Sequence, residues 1–251
     1  MPPAWRCTCR WVPGTTRCSS SGSTALTHVE NELIDEACGR VLRRIAERGW
    51  DADTDVFFTT DHGELQGDFG LLDKGPYHVD ALMRIPLVWR TAPSAGVMPA
   101  SIEEPVGQLD LAPTCSAIAG VPVPDWMEGA PLPTAPGSGR THVVTEWDSR
   151  FEEAGMHLRT IYRDGFIRTV YEPTTRDTGW ELSRMLAGGD VPLPDLVYDG
   201  TEGELYDVAA DLHQWRNLWH DPGYARRRAE LVAELYASLP RAELLRVDAP
   251  A

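Results

Sequence analysis

The sequence predicts an α/β fold, part of a sheet flanked by helices, followed by a small antiparallel sheet with a covering helix. Three observations carry this prediction. A helix-periodic segment, a short link and an apolar, β-branched run from Val56 to Thr60 follow one another as half of a βαβ unit. Further on, Asp164-Gly165 separates two strand-like runs, which is a strong hairpin signal. A last helix then opens at Asp221-Pro222 and carries Leu231, Leu235 and Leu239 at four-residue steps.

Composition narrows the classes of function. At 251 residues and 42% apolar content the chain can bury a sizeable core, as one large domain or a domain with a small lobe. A net charge of −15 argues against nucleic acid or an anionic membrane as the main partner. An anionic substrate would therefore have to be drawn locally, by a metal or a few cations. No apolar run is long enough to cross a bilayer, and Met1 to Arg10 lacks the apolar core of a signal peptide. Five cysteines, an odd count at spacings that suggest no framework, point to a reduced, cytoplasmic location.

Taken in order, residues 1–27 read as a disordered or atypical tail. The stretch to Val29 holds three of the five cysteines and no aspartate or glutamate, and Cys7-Thr-Cys9 has no second pair to complete a metal site. From about Ala25 to Arg48, Val29, Leu33, Ala37, Val41, Leu42 and Ile45 recur at helical spacing, and Gly49 stops the helix. Val56 to Thr60 has the composition of a strand buried on both faces. The following stretch to His78 contains four glycines and a proline after Gly63 and Pro76 are included with Gly67, Gly70 and Gly75, so it reads as a long ordered loop of the functional kind. Ile85 to Trp89 reads as a second buried strand with Pro86 near its start, and Leu109 to Gly120 as a helix ending at glycine. A Pro- and Gly-rich linker up to Gly139 divides an α/β part, residues 28–139, from an α+β part, residues 140–251.

Candidate chemistry concentrates where the first strand ends. In an open α/β sheet, ligands bind beyond the carboxyl ends of strands, and there the chain places Asp61 and His62. Neighbouring side chains diverge along a regular strand, but at a strand end turning through Gly63 a carboxylate and an imidazole can converge on one cation. Read without further context, the pair is first of all a strand-end turn with an ordinary histidine. Glu64 reads as a solvated carboxylate in preference to a third ligand. Lys74, in the glycine-rich loop, can hold anionic oxygens or a leaving oxyanion, or be a surface lysine. His78 can protonate a leaving group or satisfy a loop carbonyl. Asp68-Phe69-Gly70 matches the magnesium triplet of protein kinases by accident, since none of the other kinase elements precedes it.

Several motifs in series resemble one family. Phe58-Thr-Thr-Asp-His-Gly-Glu-Leu-Gln-Gly-Asp-Phe-Gly-Leu-Leu-Asp-Lys-Gly-Pro-Tyr77, followed by Met83-Arg-Ile-Pro-Leu-Val-Trp89, is similar to the C-terminal metal-binding motif of sulfatases. These belong to the alkaline phosphatase superfamily, together with phosphonate monoester hydrolases. Gln108-Leu-Asp-Leu-Ala-Pro-Thr114 with Ala119-Gly-Val-Pro-Val-Pro124 resembles the family's next helix and turn. Glu204-Leu-Tyr-Asp-Val208, with Asp211 and Asn217-Leu218, resembles the segment before its last helix. The resemblance implies a partial alkaline-phosphatase-like sandwich acting on a small-molecule sulfate ester, or on a phosphonate or phosphate ester. It implies Asp61 and His62 as ligands of a divalent cation, calcium or sometimes manganese, Lys74 as the contact to sulfate or the leaving oxygen, and His78 as a pocket residue. Histidine at position 62 is similar to choline-sulfatases and phosphonate hydrolases, where many sulfatases have asparagine. Phe69 departs from a histidine often found there.

The family's nucleophile is a formylglycine made from cysteine or serine in a C/S-x-P/A-x-R motif. None of Cys7, Cys9, Cys18, Cys38 and Cys115 lies in such a motif, and no acidic pair opens the chain to complete the cation's shell. The expectation is a C-terminal half of a sulfatase-type hydrolase, inactive alone, with the front of the chain arising from a shifted frame or misplaced start. The other reading is a short protein that keeps the lobe as a binding or interaction module.

Overall fold

The computed structural model describes residues 20–148, 157–172 and 201–239. Most of the tail read at residues 1–27, with Cys7, Cys9 and Cys18, lies outside them. The chain divides into two compact units, each interrupted in sequence.

The first unit comprises Met1–Phe58, Glu64–Lys74 and Leu87–Gly96. Its helix α1 spans Ser20–Glu47, matching the periodic segment. The apolar stripe of α1 is solvent-exposed, with Leu33 and Val41 about 60% accessible. Strands β1 (Val56–Thr59) and β2 (Leu87–Arg90) pair as a two-stranded sheet. Phe57 stacks on Trp89 at 5.1 Å, and the Trp89 indole N–H donates to Asp55 at 2.7 Å. The predicted burial of both strands on both faces is not met, because Phe58, Leu87 and Val88 are exposed. Composition registers how well a strand tolerates burial. It does not register how many neighbours the strand has, and among the described residues β1 and β2 have only each other.

The second unit comprises Thr59–Gly63, Gly75–Pro86 and the chain from Val97 onward. Its centre is a four-stranded antiparallel sheet in the order β3 (His142–Asp148), β4 (His157–Arg163), β5 (Phe166–Tyr171), β6 (Gly203–Asp207). The hairpin joining β4 to β5 turns at Asp164 and Gly165, both at positive φ, as the two-residue turn that suits strand twist requires. Asp221 caps the start of the last helix, its carboxylate accepting from the Gly223 amide at 2.9 Å. Two short helices precede that one, α2 (Asp80–Met83) and α3 (Leu111–Ile118), and α4 (Ala225–Ser238) is the last.

Helix α4 lies on the sheet through Leu231 and Leu235, both fully buried, which meet Ile161, Val170, Leu205 and Leu218. At about 25 cal/mol per Å² of apolar surface removed from water, each such leucine contributes roughly 1.5–3 kcal/mol. The alternation of β4 and β5 sends Ile161, Arg168 and Leu205, which are register partners, to this helix-covered face. Thr160 and Thr169 therefore face the other way, and that opposite face carries the elements of the candidate site.

Candidate metal centre

Strand β1 ends at Thr59, and the next four residues belong to the second unit. Two supports hold them there. On one side the Gly63 amide donates to the Leu82 carbonyl at 2.9 Å. Helix α2, which supplies that carbonyl, is itself fixed to the sheet. His78 just before it places Nδ1 2.6 Å from the Thr160 hydroxyl, which lies 2.8 Å from that of Thr169. The Asp80 amide at its first residue donates to the buried Gln214 side chain at 2.7 Å. On the other side the Gln108 side-chain amide donates to the carbonyls of Thr60 and Asp61, at 2.7 and 2.9 Å.

Gly63 is required by this approach and not by its backbone angles. A Cβ at that position would lie 1.9 Å from the Ala81 carbonyl oxygen. Gly63→Ala is therefore expected to push the turn away from α2 and to destabilise the protein by roughly 1–3 kcal/mol, the usual cost of overpacking. Urea denaturation measures this, and a midpoint equal to the wild type's would show that the close approach is absent in solution.

The arrangement brings Asp61 and His62 together. Asp61 Oδ1 accepts from the His62 amide at 3.0 Å and from the Thr60 hydroxyl at 3.2 Å. Oδ2 lies 3.4 Å from His62 Nε2. His62 Nδ1 is 2.7 Å from the Gly63 carbonyl, which can only accept, so Nδ1 carries the proton and Nε2 presents its lone pair. A lone pair and a carboxylate oxygen facing each other at that separation repel unless a cation lies between them. Desolvation pushes the Asp61 carboxyl up, but the amides of Asp61 and His62 and the Thr60 hydroxyl, all donating to it, together hold it below its ordinary value. The carboxylate is thus ionised at neutral pH and exposed.

These donors fit a divalent cation in kind. A carboxylate oxygen and an imidazole nitrogen whose other nitrogen bonds a backbone carbonyl form a common ligand arrangement. They fall short in number, since calcium takes six to eight oxygens. Among the described residues no group of three or more His, Cys, Asp or Glu side chains could hold a metal.

The other predicted residues are placed differently. Lys74 ends the middle segment of the first unit, is exposed and has no hydrogen-bond or ion-pair partner among the described residues. His78 is 5% accessible and bonded to the sheet, and burial followed by the nearby Arg159 charge holds its pKa down at about 4. Sequence reasoning missed Gln108 as part of the site. Its bonds span 47 and 48 residues, and no local spacing announces them.

Residues 29–121 match the family model described as Sulfatase. Over that stretch the chain belongs to the sulfatase family. All four predicted site residues, and Gln108, fall inside it. The chain is 32% identical over 201 residues to the multifunctional alkaline phosphatase superfamily protein PehA of Trinickia caryophylli, covering 76% of this chain and 35% of that protein. It is 32% identical over 213 residues to the uncharacterized sulfatase YidJ of Escherichia coli K12, covering 80% of this chain and 35% of that one. The fold is similar to the crystal structure of the phosphonate monoester hydrolase of Agrobacterium radiobacter, with a TM-score of 0.63 and 26% identity over 84% of this chain and 40% of that one. The α/β class with a partial alkaline-phosphatase-like architecture is thereby established for the sulfatase segment and the sheet that follows it. The chain spans about a third of the length of the curated relatives it matches.

Proposed function

We propose that this chain contributes the cation-binding loop of a hydrolase acting on a small-molecule sulfuric ester. The observation that carries the reading is the convergence of Asp61 Oδ2 and His62 Nε2 at the end of β1. In this reading Asp61 and His62 are two ligands of a divalent cation, calcium or manganese, whose other ligands come from outside the described residues. When bound, the ion supplies electrostatic stabilisation of the ester's non-bridging oxygens as charge builds on them. By resemblance to the family, Lys74 is assigned to the anionic oxygens, where an ammonium offers three donors. His78 serves as the anchor of the turn into α2, because a buried neutral imidazole has no proton to give near neutrality.

The covalent step requires a nucleophile, which the family provides as formylglycine. None of the 251 residues stands in the C/S-x-P/A-x-R motif that yields it. The chain alone is accordingly expected to turn over neither p-nitrophenyl sulfate nor a phenyl phosphonate monoester. Hydrolysis is expected when it is co-expressed with the N-terminal half of a sulfatase relative. Asp61→Ala should then reduce that hydrolysis by more than about a hundredfold, since losing even an outer-shell partner typically costs 10–100-fold. Complemented activity indifferent to Asp61→Ala would overturn the proposal.

The second reading, a phosphonate or phosphate ester as substrate, is favoured by the likeness to PehA and to the phosphonate monoester hydrolase. It also agrees with histidine at position 62. The ratio of the two hydrolysis rates in the complemented protein decides between them.

A further inference from the structure

We propose that Gln108 is the positioning residue of the Asp61–His62 loop, fixing the two peptide planes that aim both donor side chains at one ion. The inference rests on the reading that Asp61 and His62 bind a divalent cation.

A primary amide has two N–H donors, and Gln108 directs Nε2 at the two successive carbonyls of Thr60 and Asp61. Those carbonyls belong to the peptide planes on either side of the Asp61 Cα. Holding both planes sets φ and ψ at Asp61, and with them the direction of its carboxylate. It also sets the His62 amide, which donates to Asp61 Oδ1 at 3.0 Å and ties the two ligands to each other. With the Gly63 amide held by Leu82, three backbone groups in four residues are pinned from outside the loop. Asp61 Oδ2 and His62 Nε2 are left facing each other at 3.4 Å.

Gln108 can act in this way because its own backbone is rigid. It begins a 3-10 turn, Gln108–Asp110, whose last residue is buried with both carboxylate oxygens engaged. Asp110 Oδ2 accepts from the Gly107 amide at 2.9 Å and the Arg140 guanidinium at 2.6 Å, and Oδ1 from the Ala130 amide at 2.9 Å. Arg140 also donates to the carbonyls of Ala130 and Pro131, both at 2.9 Å. A buried carboxylate satisfied in this way fixes the turn, while the Gln108 side chain itself stays at the surface. A glutamine kept only for solubility would not engage both donors across 47 residues.

The test uses the full chain and two readouts. The first needs no metal: ¹⁵N NMR of the His62 ring reports whether Nδ1 or Nε2 carries the proton. The wild type should be locked with the proton on Nδ1. Gln108→Met, which keeps the length and removes both donors, should give a mixture of tautomers, and Gln108→Glu, which sets acceptors against two carbonyls, should do the same. Both variants are expected to melt as cooperatively as the wild type. The second readout is broadening of the His62 ring resonances on titration with Mn²⁺ alone. The apparent affinity should fall about tenfold in Gln108→Met, in the range found for outer-shell partners, and vanish in Asp61→Ala. Wild-type tautomer and Mn²⁺ affinity in both Gln108 variants would overturn the inference. Broadening absent from the wild type, or unchanged in Asp61→Ala, would instead overturn the cation reading. The tautomer measurement would then still judge Gln108 by itself.

Discussion

Lowering the pH from 7.5 to 4 is expected to remove about 3 kcal/mol of folding stability through His78 alone. In the folded protein the imidazole is buried against Thr160, and burial, reinforced by the Arg159 charge, lowers its pKa from 6.5 to about 4. Unfolded, it takes up a proton as the pH falls through 6.5. Folded, it does not do so until about 4. The unfolded state therefore binds more protons throughout that window, so stability is complete above pH 6.5 and drains away down to pH 4. A displacement of about 2.5 units at 1.36 kcal/mol each gives the figure of about 3 kcal/mol. Urea midpoints at pH 7.5 and 4.5 for the wild type and for His78→Asn isolate the effect, because the remaining titrating groups are common to both. The variant should be weaker at pH 7.5, having an imperfect partner for Thr160, yet lose markedly less on acidification. Equal losses would show that His78 is hydrated in solution and can titrate near neutrality, which would return it to the list of proton donors.

This distinction between an anchor and a proton donor is one that spacing could not make. His78 follows a glycine-rich loop in the sequence, and nothing nearby reveals that Thr160, 82 residues later, receives it. The same limit hid Gln108, whose partners lie 47 and 48 residues away. What the sequence did reveal rests on local chemistry. The Asp164-Gly165 turn needs two residues that accept positive φ, Asp221 caps its own helix, and Leu231 and Leu235 mark a buried stripe by spacing alone. Asp61 and His62 were placed by the rule that ligands gather beyond the ends of strands, but only the series of motifs around them distinguished a ligand pair from an ordinary strand-end turn. Burial of β1 was misjudged for a related reason: Val56, Phe57 and Phe58 would look the same in a central strand as in a two-stranded pair. Alternation also misleads at β5, where Phe166-Ile-Arg-Thr-Val-Tyr171 offers no hint that Arg168 lies on the helix-covered face.

Replacing that arginine is expected to stabilise the protein. Arg168 is 2% accessible, in register with Ile161 and Leu205, both fully buried, and its Nε and Nη1 have no hydrogen-bond partner among the described residues. Its guanidinium lies 4.4 Å from the Trp219 ring centre, and a second cation, Arg228, lies 5.5 Å from the same ring. Burial, opposed by Tyr236 and reinforced by Arg228, lowers the pKa of Arg168 from 12.5 to about 9. A guanidinium stays charged in proteins, so the cost of burying that charge is carried in the folded state at pH 7. The ring contact offsets part of that cost, about 2 kcal/mol when desolvated. Arg168→Met retains the unbranched stem against Trp219 and removes the charge. By analogy with other buried charges exchanged for apolar side chains, it should gain about 1–4 kcal/mol, read as a higher urea midpoint at pH 7.5 with an unchanged slope. A variant that is instead weaker by more than about 1 kcal/mol would mean that the guanidinium is partnered in solution, because removing one member of a buried pair destabilises whereas removing an isolated charge does not.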